Sequence, residues 1–197
     1  MPYAIFLALV VFAFATAFTP GPNNILLAAS GVNFGFARTI PHVLGVQFGF
    51  IALLTACTAG LGLAFAAVPA LQIALKVAGG AYMLWLAWKV ANAHNNDSVG
   101  RGAAQPFTFV QAAAFQLVNP KAAVVSLSAI AIYVRPGERF DAVVLVAVFA
   151  VSTILSAVTW AGFGVALRRV LQNPLRARIF NTAMALLLVA SIVPMVW

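Results

Sequence analysis

The sequence predicts an all-α membrane protein: six transmembrane helices in two inverted three-helix repeats, with helices one and four broken. Three observations carry this expectation. The chain is 64% hydrophobic and only 7% charged, with a mean hydropathy of +1.05, whereas a soluble domain carries about 25% charge. Its apolar residues gather in six runs near the roughly 20 residues that a bilayer crossing needs. Two of those runs, the first and the fourth, are interrupted by proline, at Thr19-Pro20-Gly21-Pro22-Asn23-Asn24 and at Asn119-Pro120-Lys121.

The first run spans residues 3–29. Ala15-Thr16-Ala17 resembles a small-residue cleavage site, but no Lys or Arg precedes the apolar stretch as a signal peptide requires, so an uncleaved helix is expected. The second, 40–66, holds Gly45 and Gly49 at a spacing that favours close helix packing, with Gln47 pointing elsewhere. The third, 69–90, holds Lys76, Gly79 and Gly80 on one helix face. Lys76 has a long apolar stem and is expected to snorkel to the surface; the glycines either admit a close helix or leave room for a ligand. The fourth, 107–134, is broken at Pro120. The fifth, 142–165, sets Ser152, Ser156, Thr159 and Phe163 on one face, either lining a pathway or bonding carbonyls one turn back. The sixth is 179–196. Trp85, Trp88, Trp160 and Trp197 read as interface anchors.

The polar connection 92–106, with Asn95, Asn96, Asp97 and Gly100, divides a single transmembrane domain, 1–197, into halves of about 1–92 and 107–197. Three spans per half is an odd number, so duplicated halves enter the membrane in opposite senses. Alternate loops carry Arg38, then Lys89 and Arg101, then Arg168, Arg169, Arg176 and Arg178; the intervening loops carry only Arg135 and Arg139. Basic residues collect in cytoplasmic loops, which puts both termini outside and the central loop inside.

The net charge of +8 does not indicate nucleic acid, because the basic residues are scattered at the ends of apolar runs without an aromatic-laced basic face. Cys57 is alone, which excludes an intramolecular disulfide. His42, His94, Asp97, Glu138 and Asp141 lie near loops or span ends and form no catalytic or metal-binding motif. An enzyme is therefore not expected, nor a cofactor or a metal.

The breaks supply the chemistry. Proline has no N–H to return to the carbonyl four residues earlier, so Pro20, Pro22 and Pro120 release the carbonyls of Thr16, Phe18 and Gln116. Such groups persist at membrane depth only against protein or a watery cavity. Residues 3–18 make about 24 Å of helix and 107–118 about 18 Å, within a hydrocarbon core about 30 Å thick, so both breaks fall at depths where they can meet. Paired interruptions in corresponding places point to a transporter's binding site. A zwitterion needs acceptors for its ammonium, which released carbonyls and the amides of Asn23, Asn24 and Asn119 offer. It also needs donors for its carboxylate, which a half-helix capped by Asn23 or Asn24 would present near Ile25 and Leu26. The alternative is that Thr19, Asn23 and Asn24 satisfy their own broken backbone. Lys121, with no acid deep in any span, either meets a substrate carboxylate or clamps carbonyls released by Pro120.

These residues resemble the LysE/RhtB family of amino-acid exporters. The resemblance lies in Thr19-Pro20-Gly21-Pro22-Asn23-Asn24, Gly35-Phe36-Ala37-Arg38, the Gly45 and Gly49 pair, the stretch from Lys76 to Tyr82, and Phe115 to Lys121. It covers nearly the whole chain, and Tyr82 to Lys89 is similar to the branch exporting cysteine and O-acetylserine. The resemblance implies proton-driven efflux of small neutral amino acids across the bacterial cytoplasmic (inner) membrane. The partners it implies are an amino-acid substrate and the lipid bilayer, with a homo-oligomer left open. The substrate-binding residues expected are Thr19, Pro20, Gly21, Pro22, Asn23, Asn24, Asn119, Pro120, Lys121, Lys76, Gly79 and Gly80. Export of homoserine, threonine or basic amino acids is the alternative within the family; a non-transporting structural membrane protein is the alternative outside it. His42 and Lys121 are candidate proton carriers, and so is the substrate itself.

Overall fold

A computed structural model describes residues 1–61, 69–92 and 106–192. His94, Asn95, Asn96, Asp97, Gly100, Arg101 and Trp197 lie outside the described residues, as do the end of the second expected span and the side chain of Lys76. The described residues are helical, without a strand. In order they form α1 (Tyr3–Phe18), α2 (Pro22–Phe34), α3 (Phe36–Ala56) with a π turn at Cys57–Leu61, α4 (Pro69–Ala91), α5 (Phe109–Val118), α6 (Pro120–Tyr133), α7 (Arg139–Arg168), a 3-10 turn at Val170–Gln172, and α8 (Pro174–Ala190).

The helices start and stop where local chemistry dictates. Proline occupies the first turn of α2, α6 and α8, where its missing N–H is not required. Thr108 and Gln111 form a reciprocal capping box at the start of α5. Gly35 joins α2 to α3 at φ +78°, which a side chain rarely adopts. The α1–α2 pair bends by 52° and the α5–α6 pair by 62°. Among the described residues, α3 with its π turn (Phe36–Gly60) and α7 are each long and apolar enough to cross a membrane, and each bent pair passes the same test as one span.

Contacts define two ends. At one end Met1 N lies 3.1 Å from Asp141 Oδ1. There Arg135 donates Nε and Nη2 to the two Asp141 oxygens at 2.7 and 3.2 Å, a hydrogen bond and charge that raise the arginine's pKa. At the other end Asn33 of α2 donates to Asn181 of α8 at 3.2 Å, Arg168 sits beside Gly35, His42 of α3 stacks on Phe107 with centroids 4.8 Å apart, and Lys89 lies 5.5 Å from the same Phe107 ring.

Between the ends, backbones touch through small residues. A Cβ on Gly31 would collide with the Ala161 carbonyl and one on Gly164 with that of Ala28, so α2 and α7 lie in direct contact. Gly45 and Gly49 bring α3 equally close to Phe109 and Ala113 of α5, which is the packing role their spacing predicts. Gln47 does point elsewhere: it donates to the Ala150 carbonyl at 3.0 Å and accepts from Thr153 at 2.7 Å.

Candidate functional site

The two breaks meet. A cavity of about 60 Å³ lies between them, lined by Gly21, Asn23 and Asn24 from the first break, Asn119 and Lys121 from the second, and residues of α1, α3, α6 and α7. That volume holds roughly four to six water-sized groups, the scale of an amino-acid backbone with a short side chain. Val46, Phe50, Val125 and Phe149 form its apolar wall, and among the described residues no acid lines it.

The first break spreads over Thr19, Pro20 and Gly21. Gly21 is the N-cap of α2; it is extended and gives no side-chain cap. The cap expected from Asn23 or Asn24 is therefore not formed. Asn24 turns back, donating to the carbonyls of Ala17 at 2.8 Å and Thr19 at 3.0 Å. The extended Gly21 does not return its N–H into α1, so the Ala17 carbonyl is engaged from outside: Ser156 of α7 also donates to it, at 2.7 Å. Because Pro22 is the first residue of α2, the donors left at this terminus belong to Asn23 and Asn24, whereas Ile25 already bonds to the Gly21 carbonyl. The donors expected near Ile25 and Leu26 thus sit two residues earlier, closer to the cavity.

The second break is a single residue. Asn119 is extended, and its side chain accepts the Lys121 N–H at 3.1 Å. Asn119 is 2% exposed. The Lys121 ammonium crosses to the other break and donates to the Thr19 carbonyl at 2.7 Å. The clamp reading of Lys121 thus acquires a definite partner, and it lies in the opposite half rather than on the turn that Pro120 interrupts. Gly21 makes room for this lysine: a Cβ there would lie 2.9 Å from Lys121 Cδ.

A second cross-link went unread in the sequence. Asn23 donates to Gln116 Oε1 at 2.8 Å and Gln116 returns a bond to Asn23 Oδ1 at 3.0 Å, so two amides close a ring between the halves. Gln116 is fully buried and also donates to the Ala112 carbonyl. The sequence reading had used only its backbone carbonyl. Glutamine three residues before Asn119-Pro120 was the available signal, since a buried amide demands partners.

Three hydroxyls complete the polar lining. Thr16 donates to Phe12, Ser156 to Ala17, and Thr153 to Gln47 and Phe149. Each has committed its proton, which leaves oxygen lone pairs as acceptors. Of the stripe read on the fifth span, Ser156 lines the cavity, while Thr159 and Phe163 are exposed and Ser152 bonds within its own helix. Gly79 and Gly80 do not line this cavity; Gly80 faces Ile192 at the packing of α4 against α8. His42 is buried, 3.0 Å from Ser30 Oγ, and does not line the cavity.

A family model described as LysE type translocator matches residues 14–192. The cysteine/O-acetylserine efflux proteins of Escherichia coli (strain K12) and Shigella sonnei (strain Ss046) are each 34% identical over 181 residues, 88% of both chains. That of Escherichia coli O1:K1 / APEC is 33% identical over the same length. No solved structure matches the chain. With nearly its full length matched by the family model and by these relatives, the chain belongs to the LysE family of translocators and is a membrane transporter rather than an enzyme.

Proposed function

We propose that this chain is a secondary transporter that exports small neutral amino acids, of the cysteine and O-acetylserine type, from the cytoplasm across the bacterial inner membrane, driven by the proton gradient. The observation that carries the proposal is the convergence of both proline breaks on one cavity with a lysine between them. The named activity of the relatives supports the substrate class.

Donors and acceptors sort by position. Lys121 and the Asn23 and Asn24 N–H groups of α2 receive the substrate carboxylate, which the positive end of a half-helix favours, while Asn119 supports Lys121 from the cap of α6. Thr16, Thr153 and Ser156 offer oxygens to its ammonium. Thr19, Pro20, Gly21, Pro22 and Pro120 set the backbone of the two breaks. Lys76, Gly79 and Gly80 belong to the proposed site only through resemblance. The absence of an acid from the lining, together with the Lys121 charge, disfavours a second ammonium on the substrate and so argues against basic amino acids.

The proposed layout is one transmembrane domain of six spans in inverted halves, about 1–92 and 107–197. It is supported by the two ends. Met1 and Asp141 share one end, so an even number of passes separates them: each bent pair as one span and α3 make three, and α4 crossing the membrane makes the fourth. Arg38, Lys89, Arg168, Arg169, Arg176 and Arg178 then share the cytoplasmic end.

Flux from proteoliposomes tests the proposal. Vesicles loaded with cysteine or O-acetylserine should release them faster with the protein than without it, and faster still under a pH gradient. Release of threonine, homoserine or lysine with retention of cysteine and O-acetylserine would overturn the substrate class. Release of none would overturn transport of amino acids.

A further inference from the structure

Two elbows meet at the end of the molecule that carries most of its arginines. The α2–α3 elbow is Phe34-Gly35-Phe36, and the elbow after α7 runs from Arg168 to Asn173. Beside them Asn33 of α2 donates to Asn181 of α8 at 3.2 Å, tying together the helices that the elbows lead from and into. A Cβ on Gly35 would lie 3.1 Å from Arg168 Nη1, so this guanidinium rests on the bare glycine. Three residues further along the chain, Arg38 holds its guanidinium 5.5 Å from the Phe34 ring centroid. Arg38, Arg168, Arg169 and Arg176 are all exposed. The sequence has no Asp or Glu after Asp141, and the acids at Glu138 and Asp141 stand at the opposite end of α7. Among the described residues the cluster is therefore without a counter-charge at this end. Large apolar side chains alternate with it: Val170 is 56% exposed and Leu175 66%.

We propose that the two elbows form a binding site for the phosphate headgroup of an anionic phospholipid. Arginine forks match phosphate oxygens in pairs. The interleaved Val170 and Leu175 suit the boundary between headgroup and acyl chain, where cationic and apolar side chains are both accommodated. Nucleic acid would leave those apolar side chains facing water. A bound lipid bridges α2–α3 to α7–α8, and α2 is the half-helix whose N-terminus lines the cavity, so the lipid steadies one wall of the transport site. This inference does not depend on which amino acid is carried.

Binding of fluorescent phosphatidylglycerol to the purified full-length protein tests the site, with phosphatidylcholine as the neutral reference. Replacing Arg38→Gln together with Arg168→Gln should weaken phosphatidylglycerol binding about 30-fold, at the usual contribution of each cationic side chain near a lipid surface. Arg139→Gln removes one positive charge from the other end of α7 and should leave binding unchanged, whereas Arg168→Gln alone should weaken it about 5-fold. Weakening by Arg139→Gln equal to that of Arg168→Gln alone would reduce the effect to bulk charge and overturn the site, as would undiminished binding by the Arg38 and Arg168 double variant. If that variant misfolds, Arg38→Lys with Arg168→Lys keeps the charge and removes the forks; it should bind more weakly than wild type, and full retention would overturn the site. Inorganic phosphate is the third arm. It should compete poorly; competition as strong as that of the lipid would identify a free-phosphate site and overturn the lipid assignment.

Discussion

The two proline breaks do the same thing to the chain by opposite means. The second is self-contained: one extended residue, Asn119, ends α5 and caps α6 with its own side chain. The first leaves the helix for three residues, begins α2 on an uncapped glycine, and depends on Asn24, Ser156 and Lys121 to occupy its carbonyls. A capped helix start has little donor capacity to offer a ligand, whereas an uncapped one has N–H groups to spare. In the proposed site the difference divides the roles: the second break is a fixed support that aims Lys121, and the first is where that lysine and the substrate would compete.

The comparison is broken most severely at Lys121. Lys121→Met should reach the membrane and fold, yet lose about 10- to 100-fold in transport efficiency, the worth of one hydrogen bond to a charged group. Lys121→Arg should recover only part of it, because a planar fork does not fill the seat of a compact ammonium. Flux normalised to folded protein measures both, and normal flux in a well-folded Lys121→Met protein would remove the lysine from the site.

Gln116→Leu is expected to come next. It leaves the Asn23 amide without its partner in a half-buried place, at about 1–3 kcal/mol. The thermal midpoint should fall and the halves should separate more readily, detected as faster labelling of a cysteine placed at Ala122. An unchanged midpoint would show that the amide ring carries no weight.

The smallest and most discriminating test sets Gly21→Ala against Asn119→Ala. Gly21 has φ −171°, which alanine adopts without strain, so its new methyl acts by pushing on Lys121. The substrate KM should rise several-fold with little change in stability. Asn119→Ala should do the reverse, lowering stability by about 1 kcal/mol for a lost cap while most of the flux remains. Matching responses from the two variants would erase the asymmetry between the breaks.

The sequence revealed where the helices break and that the breaks matter, because proline and the polar residues around it interrupt long apolar runs whatever their surroundings. Close packing at Gly45 and Gly49 was equally legible, since a small-residue spacing has one common use in membranes. Partners across the fold were not. Nothing local to Lys121 selects Thr19 as its acceptor, and nothing near Asn23 selects Gln116; tertiary approach of the halves decides both. The caps were misassigned for a different reason. Asn23 and Asn24 are good capping residues by type, but Pro22 fixes the first turn one residue earlier and places the N-cap on Gly21. Thr153 was passed over for its neighbour Ser152 because a helical stripe read on one face cannot say which edge of it meets a cavity.

The interlocked glycines between α2 and α7 bear on how such a molecule can move. Gly31 seats on Ala161 and Gly164 on Ala28, two backbone contacts about one turn apart along α7. Sliding one helix past the other by even a turn, about 5.4 Å, would drive side chains of neighbouring residues into backbone. The pair therefore behaves as a single plate. Opening the cavity to either face requires that plate to tilt as a unit, carrying the floor of the first break with it, while the similarly seated α3 and α5 form the counterpart against which it swings.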